Sequence, residues 1–179
     1  MYDNVYQLSG NNLKDAFENV QISNGISIVG PGIEYILNAA AKGLDTRESD
    51  QIDGETITNA TSIHLKVQMQ DKNILLTGDS TFESVMEEEL KDFRVIQLPH
   101  HGKKETGEKI LEELKNITEE VYIISDNTGE SNGGSDKLET RGYDVRNTKE
   151  EGMLILDYNS ISRNRESRGS LGEIFNSKK

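Results

Sequence analysis

Apolar residues recur at every second position in one part of the chain and at every third or fourth position in others. Residues 61–69 follow the first period, which is typical of a strand with one buried face. Compact apolar runs predict further buried strands at 74–77, 95–98, 121–125, around Val145 and at 153–156. Helical spacing predicts helices over 80–90, with Ser80 and Glu83 as a capping box, and over residues that include Ile110, Leu111, Leu114 and Ile117. Strands that alternate with helices predict an α/β fold.

The two ends of the chain have less regular patterns. The N-terminal part predicts a helix and then two strands, at 12–20, 21–29 and 33–37. Residues 38–59 are polar without a clear period and predict a long loop. After residue 158, Lys and Arg outnumber Asp and Glu by five to two, and the composition favours disorder. We therefore expect one folded domain over residues 1–158 and a basic, disordered tail over residues 159–179.

The composition limits the partners that the chain can take. The 179 residues contain no cysteine, which excludes disulfides and thiolate metal sites. Twenty basic residues against 32 acidic ones give a net charge of −12, so nucleic acid and anionic lipid are not attracted unless metal ions mediate the contact. No apolar run approaches the roughly 20 residues of a membrane span, and the first residues do not resemble a signal peptide. We expect a cytoplasmic protein without a membrane partner.

Ionisable residues follow two of the predicted strands directly. Asp79 comes after the first strand and a glycine, and the pair His100 and His101 comes after the next strand. Adjacent parallel strands would bring these side chains to one edge of the sheet. A carboxylate and an imidazole together suit zinc, manganese or iron, although Asp79 in this position is also typical of a helix cap. His64 lies on the polar face of its strand, and we expect it to be solvent-facing or hydrogen-bonded rather than a metal ligand.

The order of these motifs resembles the metallo-β-lactamase superfamily. Within it, the chain is similar to the soluble hydrolase domain of ComEC-type DNA-uptake competence channel proteins. The resemblance covers roughly residues 20–157 and is carried by these segments: Asn59-Ala-Thr-Ser62, Leu75-Leu-Thr-Gly-Asp79, Pro99-His-His-Gly102, Val121-Tyr-Ile-Ile-Ser125, Gly142–Thr148 and Gly152–Leu156. It implies a mixed sheet with flanking helices, which is the C-terminal half of an αββα sandwich.

The resemblance also implies roles for the ionisable residues. Asp79 would bridge two divalent ions, zinc or manganese. His101 would ligate the second ion, with His100 either as the ligand instead or as a proton donor close to the substrate. Such proteins hydrolyse phosphodiesters, esters, lactams or thioesters with a hydroxide held between the metals.

The chain departs from the family in its histidines. The His-x-His-x-Asp-His cluster that supplies most metal ligands has no match, because the only histidines are 64, 100 and 101. The loop that has an Asn-Tyr-Gly-His-Pro-like sequence in this branch of the family corresponds here to residues 127–134, which contain neither histidine nor proline. The chain thus resembles the part of the fold that follows the metal cluster.

Three hypotheses follow. In the first, the chain is half of a split or truncated hydrolase, inactive alone, and a polypeptide with the N-terminal half supplies the other ligands. In the second, it is a non-catalytic remnant or interaction module. In the third, Asp79, His100 and His101 bind a single metal together with an acid such as Glu83. Half a sandwich would expose an apolar sheet face, so we also expect binding of that partner polypeptide or homo-oligomerisation. Nucleic acid would be bound only through a complete metal site.

Overall fold

A computed structural model describes residues 20–44, 50–85, 90–115, 120–126 and 137–162. These residues form an α/β fold in which seven strands make one mixed sheet in the order β1-β2-β5-β6-β7-β8-β9. The strands are β1 (Val20–Ser23), β2 (Ile26–Gly30), β5 (His64–Met69), β6 (Lys72–Leu76), β7 (Val95–Gln97), β8 (Val121–Ile124) and β9 (Asp144–Asn147). Pairing is antiparallel from β1 to β6 and parallel from β6 to β9. The predicted fold class, a mixed sheet with flanking helices, is confirmed at this level.

The segment before β5 differs from the prediction. Helix α1 (Ile33–Leu44) occupies the residues predicted as a strand at 33–37. A short apolar run is ambiguous between strand and helix, and here Ile36 packs on the sheet while Tyr35 and Ala39 face the neighbouring hairpin, at helical spacing. Val20, predicted to end a helix, begins β1, and the rest of that predicted helix lies outside the described residues.

The predicted long loop at 38–59 is also wrong over its described residues. A hairpin of β3 (Gln51–Ile52) and β4 (Glu55–Thr56) leads into the short helix α2 (Ile57–Ala60). Asp53 and Gly54 form its turn, with φ of 53° and 79°. Positive φ at both central residues is typical of a type I′ turn, which an Asp-Gly pair adopts readily.

The predicted strands from residue 61 to residue 125 are confirmed apart from their ends. Between them lie helices α3 (Phe82–Val85) and α4 (Lys104–Glu113) and a 3₁₀ turn (Leu90–Asp92). These helices cover one face of the sheet, where the central strand residues Leu75, Ile96 and Tyr122 are buried. Residues 86–89 and the predicted loop at 127–134 lie outside the described part of the chain.

The C-terminal segment contains helices α5 (Thr148–Glu151) and α6 (Tyr158–Ser162). The strand predicted at 153–156 is absent from the described sheet, which ends at β9, because Gly152 (φ 74°, ψ −129°) redirects the chain after α5. Met153 and Ile155 are 83% and 71% exposed. The predicted boundary at residue 158 falls in α6, whose Ile161 is fully buried, so residues 159–162 belong to the domain. The predicted tail beyond them lies outside the described residues.

The second face of the sheet is apolar, and the described residues cover it incompletely. Ile161 of α6 packs on the fully or nearly buried Val95 and Val121. Other apolar strand residues on this face, Val67, Leu76 and Ile123, are only half-buried. In the described residues, no helix is long and apolar enough to cross a membrane.

Candidate functional site

The ends of β6 and β7 place the two predicted motifs side by side. The strands are parallel and in register, with Leu75 opposite Ile96. The Thr77 hydroxyl donates to the Gln97 carbonyl at 2.9 Å and extends the contact past the strand ends. The residues that follow, 78–79 and 99–102, therefore meet at one edge of the sheet, as the sequence predicts.

Asp79 is positioned by Gly78 and Ser62. Gly78 has a φ of 61°, and a Cβ there would lie 3.0 Å from the Ser62 Cβ. The Asp79 amide donates to the Ser62 hydroxyl at 3.3 Å, while the Asp79 side chain is partly exposed. Asp79 is not the cap of α3, because the Ser84 amide donates to the Thr81 hydroxyl at 3.1 Å instead. The capping-box prediction for Ser80 is wrong for the same reason.

The two histidines lie in a left-handed turn at 99–102. His100, His101 and Gly102 have φ values of 48°, 56° and 72°. This conformation costs roughly 1–2 kcal/mol for each non-glycine residue, so the surroundings must hold it. The His100 amide donates to the Gly78 carbonyl at 3.1 Å, which ties the turn to the residue before Asp79.

His101 is oriented towards Asp79. Its Nδ1–H donates to the Ser125 carbonyl oxygen at 2.5 Å, since a carbonyl can only accept. The proton is thereby held on Nδ1, and Nε2 of the neutral ring keeps its lone pair. Nε2 lies 4.0 Å from the Asp79 Oδ1. A carbonyl that fixes the far nitrogen of an imidazole is the usual support of a metal-binding histidine.

These two donor atoms fit a shared divalent ion. Ligand atoms of one tetrahedral zinc lie about 3.4 Å apart for bonds of about 2.1 Å, so the pair has to close by about 0.6 Å. Both side chains are partly exposed, so an ion could reach them. In the described part of the chain, no group of three His, Asp or Glu side chains could hold a metal ion. The pair therefore fits two positions of a coordination shell and needs further ligands.

His100 has a different environment, which the sequence did not reveal. Its Nδ1–H donates to Oε1 of Glu55 at 2.8 Å, and the Lys103 ammonium lies 2.5 Å from the same oxygen. The side-chain amide of Asn59 donates from Nδ2 to Oε2 of Glu55 at 3.3 Å. Burial raises the pKa of Glu55, but the hydrogen bond from Lys103 and the contacts with His100 and Asn59 outweigh this and lower it below its ordinary value. Glu55 lies in the predicted loop, where the Asp-Gly turn signal alone would have indicated its hairpin.

Other predicted residues lie outside this arrangement. Glu83 forms an ion pair with Lys109 at 3.0 Å and is not brought to Asp79. His64 is fully buried, and its Nε2 lies 3.3 Å from the Ser84 hydroxyl, so the hydrogen-bonded alternative holds and the solvent-facing one is wrong. The structure thus brings together Asp79 and His101, with His100 beside them in another network.

A cavity of about 650 Å³ opens elsewhere, beside Tyr35 and Asp53. Its lining includes Glu83 but not Asp79 or either histidine of the turn. Searches against protein-family models, curated proteins and solved structures find no match to this chain.

Proposed function

We propose that the chain is the C-terminal half of a metal-dependent hydrolase of the metallo-β-lactamase type. Asp79 and His101 hold a divalent ion, zinc or manganese, and a polypeptide segment with a His-x-His-x-Asp-His cluster supplies the remaining ligands. The observation that carries the proposal is the orientation of His101: Nδ1–H donates to the Ser125 carbonyl and Nε2 faces the Asp79 Oδ1 at 4.0 Å.

The residues of this chain would act mainly by positioning. Ser62 and Gly78 fix the backbone of Asp79, and Ser125 fixes the tautomer of His101. When bound, a divalent ion supplies Lewis acidity for the hydrolysis of a phosphodiester or an ester. Because the chain is acidic, nucleic acid would be bound only through the completed metal site.

The partner polypeptide would cover the second face of the sheet. Val67, Leu76 and Ile123 leave an apolar surface there that is only half-buried in this chain. A sandwich partner would remove that surface from water, which is the main source of binding energy between sheets. Alternatively, a second copy of this chain would cover the same face. Light scattering of the isolated chain distinguishes the two, because only the homo-oligomer has more than the mass of one chain.

Metal binding is tested on the full chain by ¹H–¹⁵N NMR during titration with Mn²⁺. We expect paramagnetic broadening to begin at the amides of residues 78–79 and 101, and Asp79→Asn to abolish it. Glu112→Gln removes an equal charge far from the site, next to Lys115, and should leave the broadening unchanged. Broadening that survives Asp79→Asn, or that spreads equally over all carboxylates, contradicts the proposal.

Catalysis is tested in a complex with a polypeptide that carries the histidine cluster. With Mn²⁺ or Zn²⁺ present, the complex should hydrolyse bis(4-nitrophenyl) phosphate, and Asp79→Asn should lower kcat at least 100-fold. An unchanged rate in a stable Asp79→Asn complex overturns the proposed role. A chain that forms this complex yet binds no metal is a non-catalytic interaction module.

A further inference from the structure

The left-handed turn at 99–102 is anchored from outside the sheet. Its backbone is strained at two consecutive non-glycine residues, and a strained turn persists only where several contacts hold it. Two backbone hydrogen bonds contribute, from the His100 amide to the Gly78 carbonyl and from the Lys103 amide to the His100 carbonyl. Side chains add further contacts, and several of these converge on Glu55.

Glu55 is a buried carboxylate with three donors around it. It is 5% exposed, although it lies on the short hairpin β3–β4, 45 residues before His100. Oε1 accepts from His100 and from Lys103, which lie before and after His101 in the sequence, and Oε2 accepts from the Asn59 side chain. The Lys103 ammonium also donates to the Gly54 carbonyl at 3.3 Å, which adds a second link between the hairpin and the turn.

The two histidine rings have different hydrogen-bond partners. Their ring centroids are 6.1 Å from each other with an angle of 74° between the planes. Nδ1 of His100 is directed to the Glu55 carboxylate, whereas Nδ1 of His101 is directed to the carbonyl of Ser125, the residue that follows β8. A rotation of the turn that freed His100 would also change the direction of the next side chain.

We propose that Glu55 is a positioning residue that holds the turn at 99–102 so that His101 alone faces Asp79. The effect of Glu55 on metal affinity rests on the proposed metal site. Its effect on the direction of the His101 side chain does not, and can be tested in the metal-free chain. Glu55 restrains the residues on both sides of His101, so its carboxylate sets the direction of His101 without touching it. His100 is then an anchor of the turn and not a second ligand.

The geometric part is tested in the metal-free full chain by long-range ¹H–¹⁵N NMR of the histidine side chains. In the wild type, we expect both His100 and His101 to carry their protons on Nδ1. In Glu55→Gln, which keeps the shape but loses the charge, the Nδ1-protonated form of His101 should be lost together with that of His100. Glu112→Gln is the control and should change neither signal. If the His101 signal of Glu55→Gln is unchanged, the inference is overturned.

The consequence is tested by the Mn²⁺ affinity from the same broadening experiment. Loss of a group that orients a metal ligand typically weakens metal affinity 10- to 100-fold, and we expect a loss of at least about 10-fold for Glu55→Gln. Should that variant not fold, Glu55→Asp keeps the charge but withdraws the carboxylate by one methylene and should give the same loss. Wild-type affinity in a folded variant refutes the positioning role. Absence of Mn²⁺ binding by the wild type refutes the proposed function instead, and leaves the His101 signal to decide the positioning role.

Discussion

The close approach of Gly78 to Ser62 predicts a large cost for Gly78→Ala. With a φ of 61°, an alanine there adopts a left-handed backbone, which costs about 1–2 kcal/mol. Its Cβ would also meet the Ser62 Cβ at 3.0 Å, and relief of such overpacking typically costs about 1–3 kcal/mol. We expect a total loss of about 2–5 kcal/mol in the free energy of unfolding, a large fraction of the stability of an ordinary domain.

The two contributions can be separated by matched variants. Gly142 has a φ of 94° with nothing within 4 Å of an added Cβ, so Gly142→Ala should show the backbone cost alone. Ser62→Gly removes the obstructing Cβ but also the hydroxyl that accepts from the Asp79 amide, so the cost of Gly78→Ala is measured with and without Ser62→Gly. In the Ser62→Gly background that cost should be smaller by most of the contact cost. The chain contains no tryptophan, so urea unfolding is followed by far-UV circular dichroism. The steric reasoning is wrong if Gly78→Ala loses no more stability than Gly142→Ala. It is also wrong if Gly78→Ala costs as much stability in the Ser62→Gly background as in the wild type.

Three further predictions concern other parts of the domain. Ile161→Ala should lower the free energy of unfolding by about 2–5 kcal/mol in urea because the side chain is fully buried, whereas Ile155→Ala, at a position 71% exposed, should stay within about 0.5 kcal/mol. The pKa of Glu55 is lowered in the folded state, so its contribution is present above its ordinary pKa of 4.5 and is lost as the pH falls through the lower folded value. Glu55→Gln should therefore lower the free energy of unfolding more at pH 7 than below pH 4. An equal loss at both pH values would contradict the lowered pKa of Glu55. Replacing both Met153 and Ile155 by Ser should reduce self-association at high concentration in light scattering, and an unchanged molecular mass would show that this patch makes no contact between copies.

The sequence predicted the parallel half of the sheet better than the rest because its strands lie in the centre of the core. Leu75, Ile96 and Tyr122 are buried there, and such strands appear as uninterrupted apolar runs between turn residues. Residues that follow neighbouring parallel strands meet at one edge of the sheet. This is why the proximity of Asp79 to the histidine turn could be predicted.

The errors arise where packing decides what a local pattern leaves open. The run at 33–37 contains apolar residues for either a strand or a helix, and contacts with the hairpin and the sheet select the helix. His64 lies on the face of β5 that carries the polar residues Lys66 and Gln68, but α3 covers it. The Ser84 hydroxyl of α3 provides a hydrogen-bond partner for the buried ring. Met153–Leu156 is a compact apolar run like those of the buried strands, yet it follows Gly152 in a direction that leaves it without a partner in the described sheet.

The separation of His100 from His101 shows what adjacent residues can contribute to one site. The two residues are consecutive in a left-handed turn, and their ring planes meet at an angle of 74°. Spacing along the sequence could identify the pair but not the partner of each ring, because Glu55 lies 45 positions away from His100. The buried carboxylate and the Ser125 carbonyl each fix one ring, and only the second ring faces Asp79. Under the proposed positioning role of Glu55, His100 would anchor the turn and His101 would offer the donor atom.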